Sequence, residues 1–309
     1  MNPETPEKRQ GGVGVVGMGL MGRGLALSLI RAGKSVSGFD ANAIASESAE
    51  GAGIPQVPQL HEIARLPTIV LALPDSPDVQ EVVRELLDNT KSGTLIIDCS
   101  TIDPAVTTAL SAEAAASGVR FRDAGMGGGP ADAAGGTLLF MVGCPQNEWR
   151  EIEDFLVPIS RDVVRCGDTG SGVTLKVINN LLALSVFLAD VEVLLLTGKA
   201  GLELEATLKV LKSTGAANAA FDGLVARQYL PRQFDGGFRT SLARKDVAIA
   251  LEVAARLGIQ VPNLAPTLEI FSEAVEDGLG EMAAGAAGLV LERLAEAAEH
   301  EADSKRDTR

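Results

Sequence analysis

Hydrophobic and polar positions change rhythm once along this chain, and that change is the first structural signal. Val13, Val15 and Val16, with Gly14 among them, make the short apolar run of a fully buried strand. Residues 25–31 then take helical spacing, Gly33 stops them, and 35–39 read as a second strand. Segments 68–73 and 94–97 are further apolar strands, 79–87 has helical spacing between them, and 138–142 adds another strand. Strands alternating with helices predict a parallel sheet with right-handed crossovers. From Gly172 onward the strand rhythm disappears. Residues 174–197 read as one long apolar helix with few polar breaks, followed by helices over 203–212, 244–257, 264–277 and 282–299. The expectation is an α/β domain over 12–172 and an all-helical domain over 173–300. The ends, 1–11 and 300–309, read as loose.

Composition narrows what such a chain does. Its 309 residues are 46% hydrophobic, enough for two ordinary cores. The net charge of −14 repels a phosphate backbone, and 4% aromatics leaves little to stack bases on, so nucleic acid is excluded as a partner. Three scattered cysteines (Cys99, Cys144, Cys166) and two histidines (His61, His300) give neither a disulfide framework nor a metal clip, so no metal is expected. The first ten residues carry no apolar core of a signal peptide. The longest apolar run, 181–189, is cut by Asp190 and Glu192, short of the ~20 residues a membrane span needs. A cytoplasmic protein with no membrane partner is expected.

Candidate chemistry begins at the first turn. Gly17-Met18-Gly19-Leu20-Met21-Gly22 fits G-x-G-x-x-G, preceded by a buried strand and followed by a helix, and Asp40 ends the next strand. That context is the dinucleotide-binding arrangement: Gly17 makes the tight turn, Gly19 admits a pyrophosphate, and Gly22 lets helix meet strand. Asp40 suits ribose hydroxyls and repels a 2′-phosphate, and no Lys or Arg occurs over 41–64, so NAD is expected over NADP. Asp40 also fits as a helix cap for the segment after it.

Hydride transfer needs a group to carry the hydroxyl proton. His61 lies in a polar loop and His300 in the tail. The only tyrosine, Tyr229, is followed four residues later by Gln233, so a Tyr-x-x-x-Lys pair is absent. Lysine remains, and Lys176 interrupts the apolar start of the long helix with Asn180 four residues on, on the same face. Partial burial there would lower its pKa. By spacing alone, Lys176 reads equally well as a lysine snorkelling from a core helix.

Taken in order, these segments resemble the β-hydroxyacid dehydrogenase family, which includes 3-hydroxyisobutyrate dehydrogenase and tartronate semialdehyde reductase. The likeness runs from Val13 to about Leu294. It includes the glycine loop with Met21, Leu73-Pro74-Asp75, and the D-x-S-T-x-x-P segment Asp98-Cys99-Ser100-Thr101-Ile102-Asp103-Pro104. It continues through a substrate signature from Asp123, the helix Gly170-Ser171-Gly172-Val173-Thr174-Leu175-Lys176-Val177-Ile178-Asn179-Asn180, and Phe238 with Lys245-Asp246. The resemblance implies a Rossmann domain and a helical domain joined by the Lys176 helix, with a small 3-hydroxy acid or its aldehyde in the cleft. It implies Lys176 as general acid/base and Asn180 as a substrate holder. The cofactor would meet Gly17, Gly19, Leu20, Met21, Gly22, Asp40, Leu73, Pro74, Thr101 and Lys245. The substrate would meet Gly127, Gly128, Gly129, Phe238 and Asp246 as well as the lysine and asparagine. It also implies a homodimer or homotetramer.

One departure stands out. The usual D-A-P-V-S-G-G becomes Asp123-Ala124-Gly125-Met126-Gly127-Gly128-Gly129. A substrate hydroxyl donor is lost at Gly127 and a proline at Gly125, and room is gained, so a bulkier or differently anchored acid is expected, held on a nest of glycine amides. A sulfolactaldehyde reductase-like activity is disfavoured, because that branch's Arg-Thr appears here as Gly128-Gly129. An imine reductase-like enzyme and a non-catalytic NAD-binding module remain as alternatives; Lys176 counts against the first, and Lys176 with Asn180 against the second.

Overall fold

The computed structural model describes residues 12–307; the expected N-terminal tail, 1–11, lies outside them. The chain divides into two compact units, one ending at Lys176 and one beginning at Val177.

The first unit is built on a seven-stranded sheet: β1 (Gly12–Val16), β2 (Ser35–Phe39), β3 (Thr68–Leu71), β4 (Leu95–Asp98), β5 (Arg120–Gly127), β6 (Leu138–Gly143) and β7 (Ser160–Gly167), in spatial order 2-1-3-4-5-6-7. Pairings from β2 through β5 are parallel, β5–β6 is antiparallel, and β6–β7 is parallel again. A purely parallel sheet is thus corrected to a mixed one. Strands β1 and β4 are buried at every position, as expected where helices cover both faces.

Alternate residues feed two cores. Val13, Val15, Val70, Ile97, Ala124 and Met126 pack on one face with α1 (Leu20–Arg31) and α7 (Trp149–Leu156). Val16, Ile69, Leu71, Ile96 and Phe121 pack on the other with α4 (Ser76–Leu87) and α5 (Pro104–Ala116). Between them in sequence lie α2 (Ala43–Gly51), α3 (Leu60–Ile63) and α6 (Pro130–Gly135). Helix starts follow local chemistry: Asp75 and Asp103 accept the Asp78 and Ala105 amides, and Pro77 and Pro104 sit in the first turns.

The second unit is helical. α8 (Ser171–Lys199) starts in the first unit and continues through α9 (Leu204–Lys212), α10 (Thr240–Arg256), α11 (Thr267–Ala274) and α12 (Gly288–Asp307). A wide-turned segment, Phe221–Tyr229, kinks at Gly223. The core joins Val177, Leu181, Phe187 and Val191 to Phe221, Tyr229, Val247 and Phe271. Phe187 and Tyr229 meet edge to face at 6.3 Å. α12 reaches Asp307, so the backbone is helical where the sequence predicts a loose end. Among the described helices, α8 is long and apolar enough to cross a membrane by length and composition. Its inward side nonetheless forms the core of the helical unit.

Candidate active site

The glycine loop of the first unit is shaped by contact. Gly17 has φ +93°, and a Cβ there would stand 2.4 Å from the Ala72 carbonyl oxygen. A Cβ on Gly22 would stand 1.8 Å from the Gly17 carbonyl oxygen, whereas one on Gly19 would meet nothing within 4 Å. The loop is therefore closed beneath and open at Gly19, where α1 presents its first amides with no acidic side chain in its first turn. Leu20 and Met21 open that helix. Asp40 binds the loop itself: its carboxylate accepts from the Met18 amide at 2.6 Å and the Asn42 amide at 2.8 Å. The cap of α2 is Asn42, which accepts from Ile44 and Ala45, so Asp40 is not the helix cap.

Two neighbouring loops are stitched together. The Ser100 hydroxyl accepts from the Leu73 amide at 2.9 Å, and the Ser100 amide donates to Asp98. The Asp103 amide donates to the Ser76 hydroxyl. Leu73, Pro74 and Thr101 are thereby carried on one braced rim at the carboxyl ends of β3 and β4. Ser76 and Ser100 are not among the expected site residues; their hydroxyls serve backbone amides, a role spacing does not reveal.

The start of α8 sits on β5. Asp123 is buried, and its two oxygens accept from the Gly170 amide at 2.6 Å and the Val173 amide at 2.8 Å. Burial pushes this carboxyl up to about 6, against the downward pull of those amides. Lys176 follows, half-buried, in the next turn. Gly127 ends β5 and Gly128 has φ +126°. The Gly129 amide donates to Asp132 at 2.8 Å, which withdraws it from the anion nest expected over 127–129.

In the helical unit, Asn180 is 9% exposed and its Nδ2 donates to Asp246 Oδ2 at 2.7 Å. An ionised carboxylate only accepts, so this contact fixes which end of the carboxamide faces it. Lys245 Nζ stands 3.2 Å from Asp246 Oδ1. Asp246 is 2% exposed, so it lies behind Asn180 and Lys245 rather than at a surface. Phe238 is partly buried against the same core. Tyr229 is out of contention for proton transfer: its hydroxyl donates to Glu292, and burial with that carboxylate drives its pKa far up.

Family models match both halves. Residues 12–167 match the NAD-binding domain of 6-phosphogluconate dehydrogenase, and 170–291 match the NAD-binding domain of NADP-dependent 3-hydroxyisobutyrate dehydrogenase. The 2-(hydroxymethyl)glutarate dehydrogenase of Eubacterium barkeri is 31% identical, covering 91% of this chain and 95% of that protein. This chain belongs to the β-hydroxyacid dehydrogenase family. A further relative of the family, the 2-hydroxy-3-oxopropionate reductase of Escherichia coli, is 28% identical over 92% of this chain and 98% of its own. The solved 3-hydroxyisobutyrate dehydrogenase of Mycobacterium tuberculosis with L-serine superposes with TM-score 0.84 at 26% identity, covering 91% and 99% of the two chains. As a member of the β-hydroxyacid dehydrogenases, the protein carries NAD(P)-binding domains and is an NAD(P)-dependent hydroxyacid oxidoreductase.

Proposed function

We propose that this enzyme interconverts a small 3-hydroxy acid and its semialdehyde or keto form, prefers NAD over NADP, and uses Lys176 as general acid/base. The observation that carries the reading is the clamp on Lys176. Asp123 pins the first turn of its helix, and Asn180, one turn on, is fixed by Asp246. A lysine present only to snorkel needs neither device.

The glycine loop fits a dinucleotide, because Gly19 leaves open backbone at a helix start while Gly17 and Gly22 allow no side chain. Asp40 favours ribose hydroxyls over a 2′-phosphate, which supports NAD. When bound, the nicotinamide takes or gives the hydride. In oxidation the Lys176 amine receives the hydroxyl proton; in reduction its ammonium returns it. Asn180 offers its remaining amide hydrogen and carbonyl to the substrate, and Lys245 supplies positive charge in an otherwise acidic protein. Gly128 is the amide best suited to meet a substrate carboxylate, given that Gly129 is committed.

The names of the relatives point to one chemical class. Hydroxyisobutyrate and (hydroxymethyl)glutarate each carry a hydroxymethyl group on the carbon beside a carboxylate. Gly127, without a side chain, supports a larger substituent on that carbon. The test is a panel of such acids and their semialdehydes, assayed with both nucleotides in the parent and in Lys176→Ala. Turnover is expected to fall at least ~100-fold in the variant while NADH binding is kept. Near-parental turnover would sink the lysine assignment. Response to cyclic imines alone, or to no carbonyl at all, would return the imine reductase or the non-catalytic module.

We also propose a cytoplasmic homo-oligomer. On α8, Ile178, Leu182, Val193 and Leu196 form an exposed apolar stripe, with Leu196 at 69% exposure. Light scattering at micromolar concentration is expected to give a dimer or tetramer; a monomer refutes it.

A further inference from the structure

The family's proline position is occupied here by Gly125, and the geometry around it is unusually tight. Along β5, Phe121, Asp123, Gly125 and Gly127 point to one face of the sheet. That face receives the start of α8, since Phe121 and Val173 share one core. A Cβ on Gly125 would stand 2.7 Å from the Lys176 Cβ, 3.2 Å from its Cγ and 3.3 Å from the Gly172 carbonyl oxygen. The first of these is not the yielding tip of a side chain, because the Lys176 Cβ is fixed to the helix backbone.

The helix cannot simply step back. Asp123 holds it by the Gly170 and Val173 amides. Gly172 is pressed so close to β6 that a Cβ there would stand 2.2 Å from the Met141 carbonyl oxygen. Gly143, on the same strand, leaves room for Asp123, since a Cβ there would stand 2.4 Å from its Oδ1. Two residues along the same face, a Cβ on Gly127 would make only ordinary contacts, the nearest 3.4 Å away. The tightness is therefore local to Lys176. Conformation is not the reason for glycine at 125, because its φ is not positive; the bare backbone is there for space.

We propose that Gly125 is a positioning residue for the reaction: the missing side chain sets how deeply the Lys176 stem lies against β5, and Asp123 locks that depth. This rests on the reading of Lys176 as the proton carrier. A methyl group at 125 displaces the lysine stem, and a misplacement of roughly 1 Å at a reacting group lowers rates about 100-fold.

The test is a double-mutant cycle with kinetics beside it. Gly125→Ala is expected to lower kcat 10- to 100-fold, to shift the pH profile of kcat, and to leave the Kd for NADH unchanged. Thermal unfolding is compared for the parent, Gly125→Ala, Lys176→Gly and the double variant. Lys176→Gly removes the Cβ that is struck, so the Tm loss from Gly125→Ala should largely vanish in that background. An equal Tm loss in both backgrounds overturns the contact, and a kcat and pH profile within twofold of the parent overturns the positioning role. If Gly125→Ala is too unstable to assay, recovery of folding in the double variant still decides the contact. Near-parental turnover of Lys176→Ala would fail the proton-carrier reading alone, and the cycle would be untouched by it.

Discussion

The two units build precision in opposite ways. In the first, the decisive positions have no side chain: Gly17, Gly22 and Gly125 are places where a Cβ would strike backbone or a lysine stem. In the helical unit, Asn180 and Lys245 are held by one buried carboxylate, Asp246. A site that brings backbone to a ligand is made by removing atoms, and its failures are steric. A site that aims a carboxamide is made by adding a charged acceptor, and its failures are electrostatic. Asp123 is the exception in the first unit, a buried charge whose partners are backbone amides.

That exception gives the sharpest way to break the comparison. Unfolded, the Asp123 carboxyl titrates at its ordinary 3.8; folded, burial raises it to about 6. The folded state therefore holds the proton more tightly. This group's contribution to stability is greatest below pH 4, falls as the pH rises toward 6, and is level above it. Cys99 and Cys166 lie near this carboxyl, and Asp98 is its partner on β4. Asp123→Asn removes the titration. Between pH 4 and 7 the parent should lose roughly 2 kcal/mol relative to that variant, read from urea unfolding. Parallel stability curves for the two proteins would refute the assignment.

A smaller effect is expected from Asp246→Asn. The substitution keeps the volume and one acceptor oxygen, but it places an amide NH2 where Lys245 has its carboxylate partner. Asn180 is then less firmly aimed, and kcat should drop about tenfold, some 1.4 kcal/mol, with NADH binding unchanged. An equal loss in NADH binding would show that Asp246 acts on the fold at large and not on Asn180.

Several features are legible in the amino-acid sequence. Strands β1, β3 and β4 stand out as apolar runs because both faces of a parallel sheet are buried there, whereas the edge strand β2 shows only alternation. The glycine loop with Asp40, and Lys176 with Asn180, are legible because local backbone geometry and helical periodicity fix them. Strand β5 is not: Arg-Phe-Arg-Asp-Ala-Gly-Met-Gly carries three charges and two glycines, which weigh against a strand by composition. Its alternation only makes sense once one face receives α8. Likewise β7, an edge strand rich in polar residues, has no apolar run to mark it.

The sequence by itself determined the order of elements, the change from sheet to helices and the residue types able to move a proton, because these depend on periodicity and composition within short windows. Tertiary structure alone decided that Asp123 pins the lysine helix, that Asp246 aims Asn180 and that Gly125 is there for space. Each joins groups whose spacing in the chain carries no periodic signal, or turns on atoms that are missing. Distance in space, not pattern in sequence, sets whether a glycine is a loose turn or a seat.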